Sequence, residues 1–252
     1  MEQAPYYQKL LEAFAQPGCA LCRLGNDAAD RYLDATLWEL VNDFKLRAEL
    51  NQARGYCQIH GWMLVRSGGA IGTTILMQGV TKTLLDVLAG SPLTAMPNST
   101  WQSLLRSLDS RRPQAATANL VSELSPQAPC PVCVQVAEVE RLAIASLLAH
   151  LTGRDALVDA YTTSAGLCLP HFRQTLAAAP AGTALETLLT AQQAIWQQLH
   201  AELTEFIRKN DYNVKEETYG AEEDAWLRAL AAVCGTRPGG DSGRQGLTQS
   251  RR

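Results

Sequence analysis

Six of the seven cysteines and two of the four histidines occur in short motifs of a kind that binds metal ions. Two of these motifs are CxxC and two are CxxH. The eight candidate ligands, in chain order, are Cys19, Cys22, Cys57, His60, Cys130, Cys133, Cys168 and His171. Thiolate sulfur and imidazole nitrogen are donors that Zn²⁺ prefers, and four such donors complete its tetrahedral coordination. The motifs therefore predict metal binding.

The motifs belong to an internal repeat with a constant offset of 111 residues, which carries Cys19 to Cys130 and Cys57 to Cys168. Gly55 and Gly166 keep the same offset. Self-similarity at a fixed distance indicates two copies of one structural unit. We therefore expect each repeat to close its own Cys3His site. The first would use Cys19, Cys22, Cys57 and His60, and the second Cys130, Cys133, Cys168 and His171.

A Cys3His set leaves no coordination position open for water, which is typical of structural rather than catalytic zinc. We therefore expect two structural Zn²⁺ ions. An iron–sulfur cluster is the alternative, and two clusters in one chain would indicate electron transfer or redox sensing. The CPVC motif, Cys130 to Cys133, also fits a thiol–disulfide centre, although no strand–helix alternation surrounds it. A milder form of the thiol–disulfide hypothesis is a zinc site whose cysteines release the ion when they are oxidised.

Other zinc-dependent functions fit the sequence poorly. The segment 129–133 reads PCPVC and matches the PCxxC of zinc deaminases, but the HxE that those enzymes need follows it, at 200–202. The motif spacing also differs from that of DNA-binding C2H2 fingers. No nucleophile–base pair or phosphate-binding loop is visible. We therefore assign no catalytic residue and favour a non-enzymatic role.

The charge balance argues against nucleic acid as a partner. The chain has 22 basic and 25 acidic residues, for a net charge of −3. Four arginines and one aspartate lie in the last 18 residues, so the remainder has 18 basic and 24 acidic residues, or −6. Non-specific binding to nucleic acid or to anionic lipid needs concentrated positive charge. We interpret Arg106, Arg111 and Arg112, near Trp101, as a solvated helix face and expect a protein partner.

No segment predicts a membrane span. The most apolar stretch, from Ile71 to Ala89, contains Lys82 and Asp86, which are costly in hydrocarbon. The N-terminal residues do not resemble a secretory signal, because an acid occupies position 2 and polar residues alternate with apolar ones. We expect a cytoplasmic protein, in which cysteines are read as metal ligands before they are read as disulfides.

Composition and periodicity predict an all-α fold. The chain is rich in Ala and Leu and has 6% aromatic residues, and apolar residues recur at three- and four-residue steps after each CxxC. Each motif is expected at the start of a helix, where the helix dipole favours thiolate. The predicted helices cover about 5–15, 20–38, 43–53, 73–89, 99–109, 116–124, 131–151, 155–164 and 183–209, and the last helix is expected to have its first turn at 222–224.

We expect two pseudo-repeated helical halves, each built around a Cys3His metal site. The first repeat is assigned to 1–90, a connecting segment to 91–115, and the second repeat to 116–210. A C-terminal docking helix then covers 211–234, and a disordered tail covers 235–252.

A Cys3His site with bound zinc carries a net charge of −1, so a nearby arginine could donate to a sulfur. The arginines close to the motifs are Arg23, Arg54, Arg66 and Arg173.

The duplicated CxxC and GxCxxH motifs are followed by a KNDY segment at 209–212 and an EEDAW segment at 222–226. In combination they resemble a family of uncharacterised bacterial proteins, over about residues 10–235. The resemblance implies an intracellular bacterial protein with the same eight ligands, and it implies no reaction. We interpret the EEDAW segment as the start of a helix that docks on the bundle. A binding surface that contains Asp211, Tyr212 and Trp226 is the alternative.

Overall fold

The computed structural model describes residues 6–91, 112–211 and 217–236, with side chains of the second range described from 115 onward. Eleven α-helices and no β-strand occur in these ranges, which confirms the all-α class. The helices are α1 (Tyr7–Phe14), α2 (Ala20–Trp38), α3 (Phe44–Gln52), α4 (Gln58–Trp62), α5 (Ala70–Gly90), α6 (Arg112–Leu124), α7 (Pro131–His150), α8 (Ala156–Thr162), α9 (Leu169–Ala178), α10 (Thr183–Lys209) and α11 (Ala225–Cys234).

The helices predicted from periodicity within the described ranges are all present, and their ends differ from the prediction by a few residues. The helix predicted at 99–109 and the side chains of Arg106, Arg111, Arg112 and Trp101 lie outside the described residues. So do Tyr212 and the chain from residue 237 onward.

The chain forms two compact units that do not follow the sequence repeats. Unit 1 consists of Met1–Ala28 and Val136–Arg252, and unit 2 consists of Ala29–Gln135. The boundary falls inside α2 and inside α7. Each unit therefore combines segments of both repeats.

The core of unit 1 is built from the apolar faces of α1, α7, α8, α9 and α10 and from the first turns of α2. Leu147, Leu157 and Leu188 are fully buried in it. The rings of Phe14 and Tyr161 meet edge to face with centroids 5.6 Å apart, so α1 is fixed against α8. Burial of this continuous apolar face is the main force that holds the unit together.

Unit 2 packs α3 and α6 against α5. Asp43 caps α3 by accepting a hydrogen bond from the backbone N–H of Leu46 at 2.7 Å. Where α5 begins, Gly72 approaches the backbone of Leu37 so closely that a Cβ atom would lie 3.0 Å from the Leu37 carbonyl oxygen. Glycine at that position lets the end of α2 and the start of α5 touch.

The KNDY and EEDAW segments meet in unit 1. Lys209 Nζ lies 2.6 Å from Glu222 Oε1, and both side chains are largely buried. Tyr219 donates a hydrogen bond from its hydroxyl to Asn210 Oδ1 at 2.9 Å. Ala225 is fully buried, and α11 packs against α9 and α10. These contacts hold the two segments against each other.

We predict that Glu222 stabilises unit 1 in a pH-dependent way. The hydrogen bond from Lys209, with a further one from the backbone N–H of Gly220, lowers the pKa of Glu222 to about 2. A carboxyl group with a lowered pKa stabilises the fold above its unfolded pKa of about 4.3 and loses that effect as the pH falls through about 2. Glu222→Gln should therefore be less stable than the parent protein at pH 6, and the difference should shrink towards pH 2.

Urea unfolding at several pH values measures this difference. Glu223→Gln is the matched control, because Glu223 is exposed and lies one position away. An equal destabilisation in both variants, or a difference that does not change with pH, would contradict the prediction.

Candidate metal centres

The eight candidate ligands form two groups of three cysteines and one histidine, and the ligand atoms of each group lie within 4.8 Å of one another. The prediction of two Cys3His groups is confirmed, but the predicted pairing of motifs is wrong. The CxxC of each repeat joins the CxxH of the other. Site A, in unit 1, consists of Cys19, Cys22, Cys168 and His171. Site B, in unit 2, consists of Cys57, His60, Cys130 and Cys133.

The helices between the two motifs of each repeat are unequal in length. After Cys22, α2 runs for 19 residues, whereas the following α3 has only 9. At 1.5 Å per residue the chain travels about 28 Å outward along α2, and α3 is long enough to cover only about 13 Å of a return. The second repeat shows the same imbalance, with 20 residues in α7 and 7 in α8. Each CxxH therefore follows a long helix and a short one, and it joins the CxxC of the other repeat.

Site A lies at two helix starts, because Cys19 directly precedes α2 and Cys168 is the N-cap residue of α9. His171 Nδ1 faces the three sulfurs, at 3.5 Å from Cys19, 3.3 Å from Cys22 and 3.2 Å from Cys168. The Sγ atoms of Cys22 and Cys168 are 3.6 Å apart. The prediction that the motifs begin helices is confirmed here.

The other ring nitrogen of His171 contacts a carboxylate. His171 Nε2 lies 3.0 Å from Glu140 Oε1 on α7. A proton on Nε2 that is donated to the carboxylate leaves Nδ1 free to act as a metal ligand, and it fixes the orientation of the ring. Without a metal ion, burial opposes protonation of this ring, but hydrogen bonds with Cys168, Cys22 and Glu140 outweigh it and raise the pKa of His171 to about 12.

The end of α11 covers part of site A. Gly235 has φ +86°, and a Cβ atom at this residue would lie 3.3 Å from Cys22 Sγ. The backbone N–H of Thr236 donates a hydrogen bond to Cys22 Sγ at 3.5 Å. Asn26 Nδ2 in turn donates to Thr236 Oγ1 at 3.4 Å. Two residues assigned by sequence to the tail thus contact a candidate ligand.

Site B repeats the arrangement with the first CxxH and the second CxxC. Cys57 is the N-cap residue of α4, and Cys130 directly precedes α7. His60 Nδ1 lies 3.3 Å from Cys57 Sγ, 3.3 Å from Cys133 Sγ and 3.7 Å from Cys130 Sγ. Three of these four residues are partly exposed, whereas three of the four at site A are buried.

Within each group the pKa of one thiol is lowered and the pKa of another is raised. At site A, hydrogen bonds with Cys168 and Cys19 lower the pKa of Cys22, while burial raises the pKa of Cys19. At site B, burial opposes ionisation of Cys130, but hydrogen bonds from His60 and from backbone N–H groups outweigh it and lower its pKa to about 6. Burial and the neighbouring sulfurs raise the pKa of Cys133 to about 12. Three thiolates at such distances need an added positive charge.

A buried amide positions the turn that carries Cys168. Gln192 of α10 is 1% exposed, and its Oε1 accepts hydrogen bonds from the hydroxyl of Tyr161 at 2.7 Å and from the backbone N–H of Leu167 at 2.9 Å. Gly166 has φ +71°, and a Cβ atom there would lie 2.9 Å from Gln192 Nε2. Glycine is thus required at this turn both by its backbone conformation and by space.

In unit 2, Arg54 connects the chain segments that precede the ligands of site B. Its guanidinium donates to the carbonyl of Glu123 at 2.6 Å and to that of Asn51 at 2.7 Å. The backbone N–H of Gln127 also donates to the carbonyl of Gln52 at 2.8 Å. These bonds connect the segment before Cys57 with the segment before Cys130.

The arginines near the motifs do not donate to sulfur in the way proposed from sequence. The hydrogen bonds of Arg54 end on carbonyl groups, and so does that of Arg23, on Pro17 at 2.7 Å. Arg66 pairs with Asp34 at 2.6 Å and with Asp30 at 3.1 Å. Among the described contacts of these three arginines, none is with a ligand sulfur.

Sequence analysis missed Glu140, Gly235 and Thr236 as neighbours of site A. The repeat could not reveal Glu140, because Ala29 lies 111 positions before it. The HxE at 200–202 is not part of either group, since Glu202 pairs with Arg228. Cys234 is exposed and also belongs to neither group.

The fold and the sites define an all-helical protein with two Cys3His groups that could each hold a metal ion. The chain belongs to a family of unknown function, DUF6062, whose model matches residues 1–239. This confirms the resemblance stated from sequence. The chain is 24% identical over 229 residues to an uncharacterised 23.9 kDa protein in the xynA 3′ region of Caldicellulosiruptor sp. (strain Rt8B.4), covering 90% of this chain and 100% of that protein.

No solved structure matches the chain. In the part of the chain that the structure describes, no helix combines the length and the apolar character needed to cross a membrane.

We predict that Gln192→Leu destabilises unit 1. Leucine has a similar volume but accepts no hydrogen bond, so the Tyr161 hydroxyl and the Leu167 N–H lose their acceptor. Each buried polar group left unpaired costs about 1–3 kcal/mol. Chemical unfolding should show a lower midpoint for Gln192→Leu and little change for Gln193→Leu, whose position on the same helix is exposed. Equal effects of the two changes would contradict this role of Gln192.

Proposed function

We propose that the protein binds two structural zinc ions, one at site A and one at site B. The folded protein then acts in the cytoplasm as a binding or scaffold module for a protein partner. The observation that carries this proposal is the convergence of four soft donors at each of two places. Each donor set is complete, with three sulfurs and one imidazole nitrogen.

The distances between donors support a single ion at each site. Zinc bonds of about 2.3 Å to sulfur and 2.0–2.1 Å to nitrogen, directed tetrahedrally, separate the donors by roughly 3.5–3.8 Å. The closest sulfur pair at site A is 3.6 Å apart, and so is the Cys57–Cys133 pair at site B. An iron–sulfur cluster binds its ligands through different iron atoms and so spreads them further apart. These short distances favour zinc over the cluster.

Charge also supports a bound cation. A divalent ion reduces the charge of three thiolates from −3 to −1 and removes most of their mutual repulsion. Zinc binding to thiolate-rich sites in model peptides contributes on the order of 10 kcal/mol of folding free energy. An ion at each site would therefore stabilise both units, and all six ligand cysteines are free thiols, as cytoplasmic conditions favour.

A binding role agrees with the closed ligand sets and with the surface of unit 2. Four protein ligands leave no position for a substrate or a catalytic water. Several large apolar side chains of unit 2 remain exposed, among them Trp38, Phe44, Trp62, Val65 and Ile71. These side chains offer apolar surface that a protein partner could cover.

Metal analysis together with an absorption spectrum tests the proposal. Protein purified without oxygen should contain two equivalents of zinc and show no visible absorption band. Iron with acid-labile sulfide would favour the redox or sensor alternative. Folded protein that contains no metal and takes up none when zinc is added would contradict metal binding altogether.

Cysteine variants test which ligands share an ion. Cys19→Ser combined with Cys168→Ser removes two ligands of site A, so the protein should keep one ion after gel filtration into zinc-free buffer that contains no chelator. Cys19→Ser combined with Cys57→Ser removes one ligand from each site and should weaken both. Cys234→Ser is the control and should keep two ions. One tightly held ion in the Cys19/Cys57 variant would contradict the pairing across the repeats.

A further inference from the structure

We propose that the two sites have different exchange behaviour: site A holds its ion permanently, whereas site B is an exchangeable zinc site. Glu140 is the positioning residue that contributes most to the difference. The inference rests on the proposed function, because it assumes an ion at each site. Four separate features of the described residues distinguish the sites.

The first feature is the packing of the helix that carries the histidine. At site A this helix is α9, which buries Phe172 and Thr175 in addition to His171. The Phe172 ring meets Trp196 edge to face with centroids 5.2 Å apart. Apolar packing therefore places the Cys168 and His171 ligands independently of any ion.

The corresponding helix at site B is α4, which has five residues and buries none of them. Isolated helices of this length are not stable, so α4 depends on its neighbours for order. Its N-cap residue Cys57 contacts Cys133, and His60 contacts Cys130 and Cys133. Binding at site B must therefore order α4, and that cost lowers the affinity relative to a preorganised site.

The second feature is the carboxylate behind the histidine. Glu140 contacts His171 Nε2 at 3.0 Å, and its side chain is largely buried. The repeat places Ala29 at the equivalent position for site B, and alanine offers no acceptor. Among the described residues, the histidines paired with a carboxylate are His150 and His171. Removing a carboxylate of this kind typically weakens metal binding 10–100-fold.

The third and fourth features concern access to the sulfurs. At site A, Gly235 lies against Cys22 and the Thr236 N–H donates to its sulfur, which also disperses charge on the thiolate. Cys19 and Cys168 are 4% and 1% exposed. At site B, Cys57 and Cys133 are both partly exposed. A competing chelator can therefore reach site B more easily.

Exchange at site B also has a consequence for the surface of unit 2. Ile59 and Trp62 of α4 and Val65 beyond it are exposed, Trp62 by 74%. Because Cys57 and His60 would be ligands of the ion, loss of zinc from site B should loosen α4 and with it the side chains of Ile59 and Trp62. The segment beyond α4 remains held by the buried Leu64 and by the ion pairs of Arg66. Zinc supply would then control the apolar surface that we propose for partner binding.

A chelator experiment on the full-length protein tests the inference. The protein with two zinc ions is mixed with excess 4-(2-pyridylazo)resorcinol, and the coloured zinc complex is followed over time. We expect one equivalent to be released rapidly and the second slowly. Cys133→Ser should abolish the rapid phase and leave the slow one, whereas loss of the rapid phase in Cys168→Ser would reverse the assignment and overturn the inference.

Variants of Glu140 test its positioning role. Glu140→Ala should accelerate the slow phase 10–100-fold and leave the rapid phase unchanged. Glu140→Gln should be intermediate, because its amide oxygen can still accept from Nε2–H. Glu138→Gln is the matched control, since Glu138 lies on the same helix, is exposed and pairs with Arg141. Identical slow phases in Glu140→Ala and Glu138→Gln would contradict the role of Glu140.

The outcomes separate this inference from the proposed function. Two zinc ions released together at one rate would overturn the inference and leave the proposed function standing. A starting protein without two zinc ions would contradict the proposed function itself. Circular dichroism shows whether a variant is folded, and the Cys133→Ser result decides the assignment if Glu140→Ala fails to fold.

Discussion

Each ligand group brings three sulfurs and one imidazole nitrogen to within 4.8 Å of one another, and three sulfurs this close cannot all carry charge unless a cation joins them. At site A the group links Cys22 to Cys168, which are 146 positions apart, and at site B it links Cys57 to Cys133, which are 76 apart. An ion at such a place closes a long loop, as a disulfide does, and reduces the entropy of the unfolded chain. The apolar core of unit 1 and the packing of unit 2 bring these segments near one another, and the ligand groups then fix their register.

The exchange of motifs between repeats makes the two copies depend on each other. In tandem arrays each repeat contacts its neighbours but carries its own complete pattern. Here each copy contributes its CxxC to one group and its CxxH to the other, so a copy on its own supplies only two ligands to each group. Both copies must therefore be folded before either ligand group exists. This dependence accounts for compact units whose boundaries, inside α2 and α7, do not match the boundaries of the repeats.

Local features of the chain were predictable from sequence, whereas relations between distant segments were not. Apolar periodicity located the helices, and the duplicated motifs identified all members of the two Cys3His groups. The pairing was not predictable from spacing, because either pairing uses the same motifs with the same spacings. Glu140 was missed because Ala29 occupies its place in the other copy. The contact of Thr236 with Cys22 was missed because Gly- and Arg-rich composition says nothing about the first residues after a helix.

The two sites show how one ligand set can serve two purposes. The donor atoms determine which ion is preferred, and they are the same at both sites. The residues around each site determine how far the four donors are already positioned before an ion binds, and these residues differ between site A and site B. At site A a buried helix, a carboxylate and a backbone N–H hold the donors in place. At site B a helix without buried residues contributes two of the four ligands. On the proposed assignment an ion at site B contributes to the order of α4, so we expect that helix and its exposed Trp62 to respond most to zinc and the core of unit 1 to respond least.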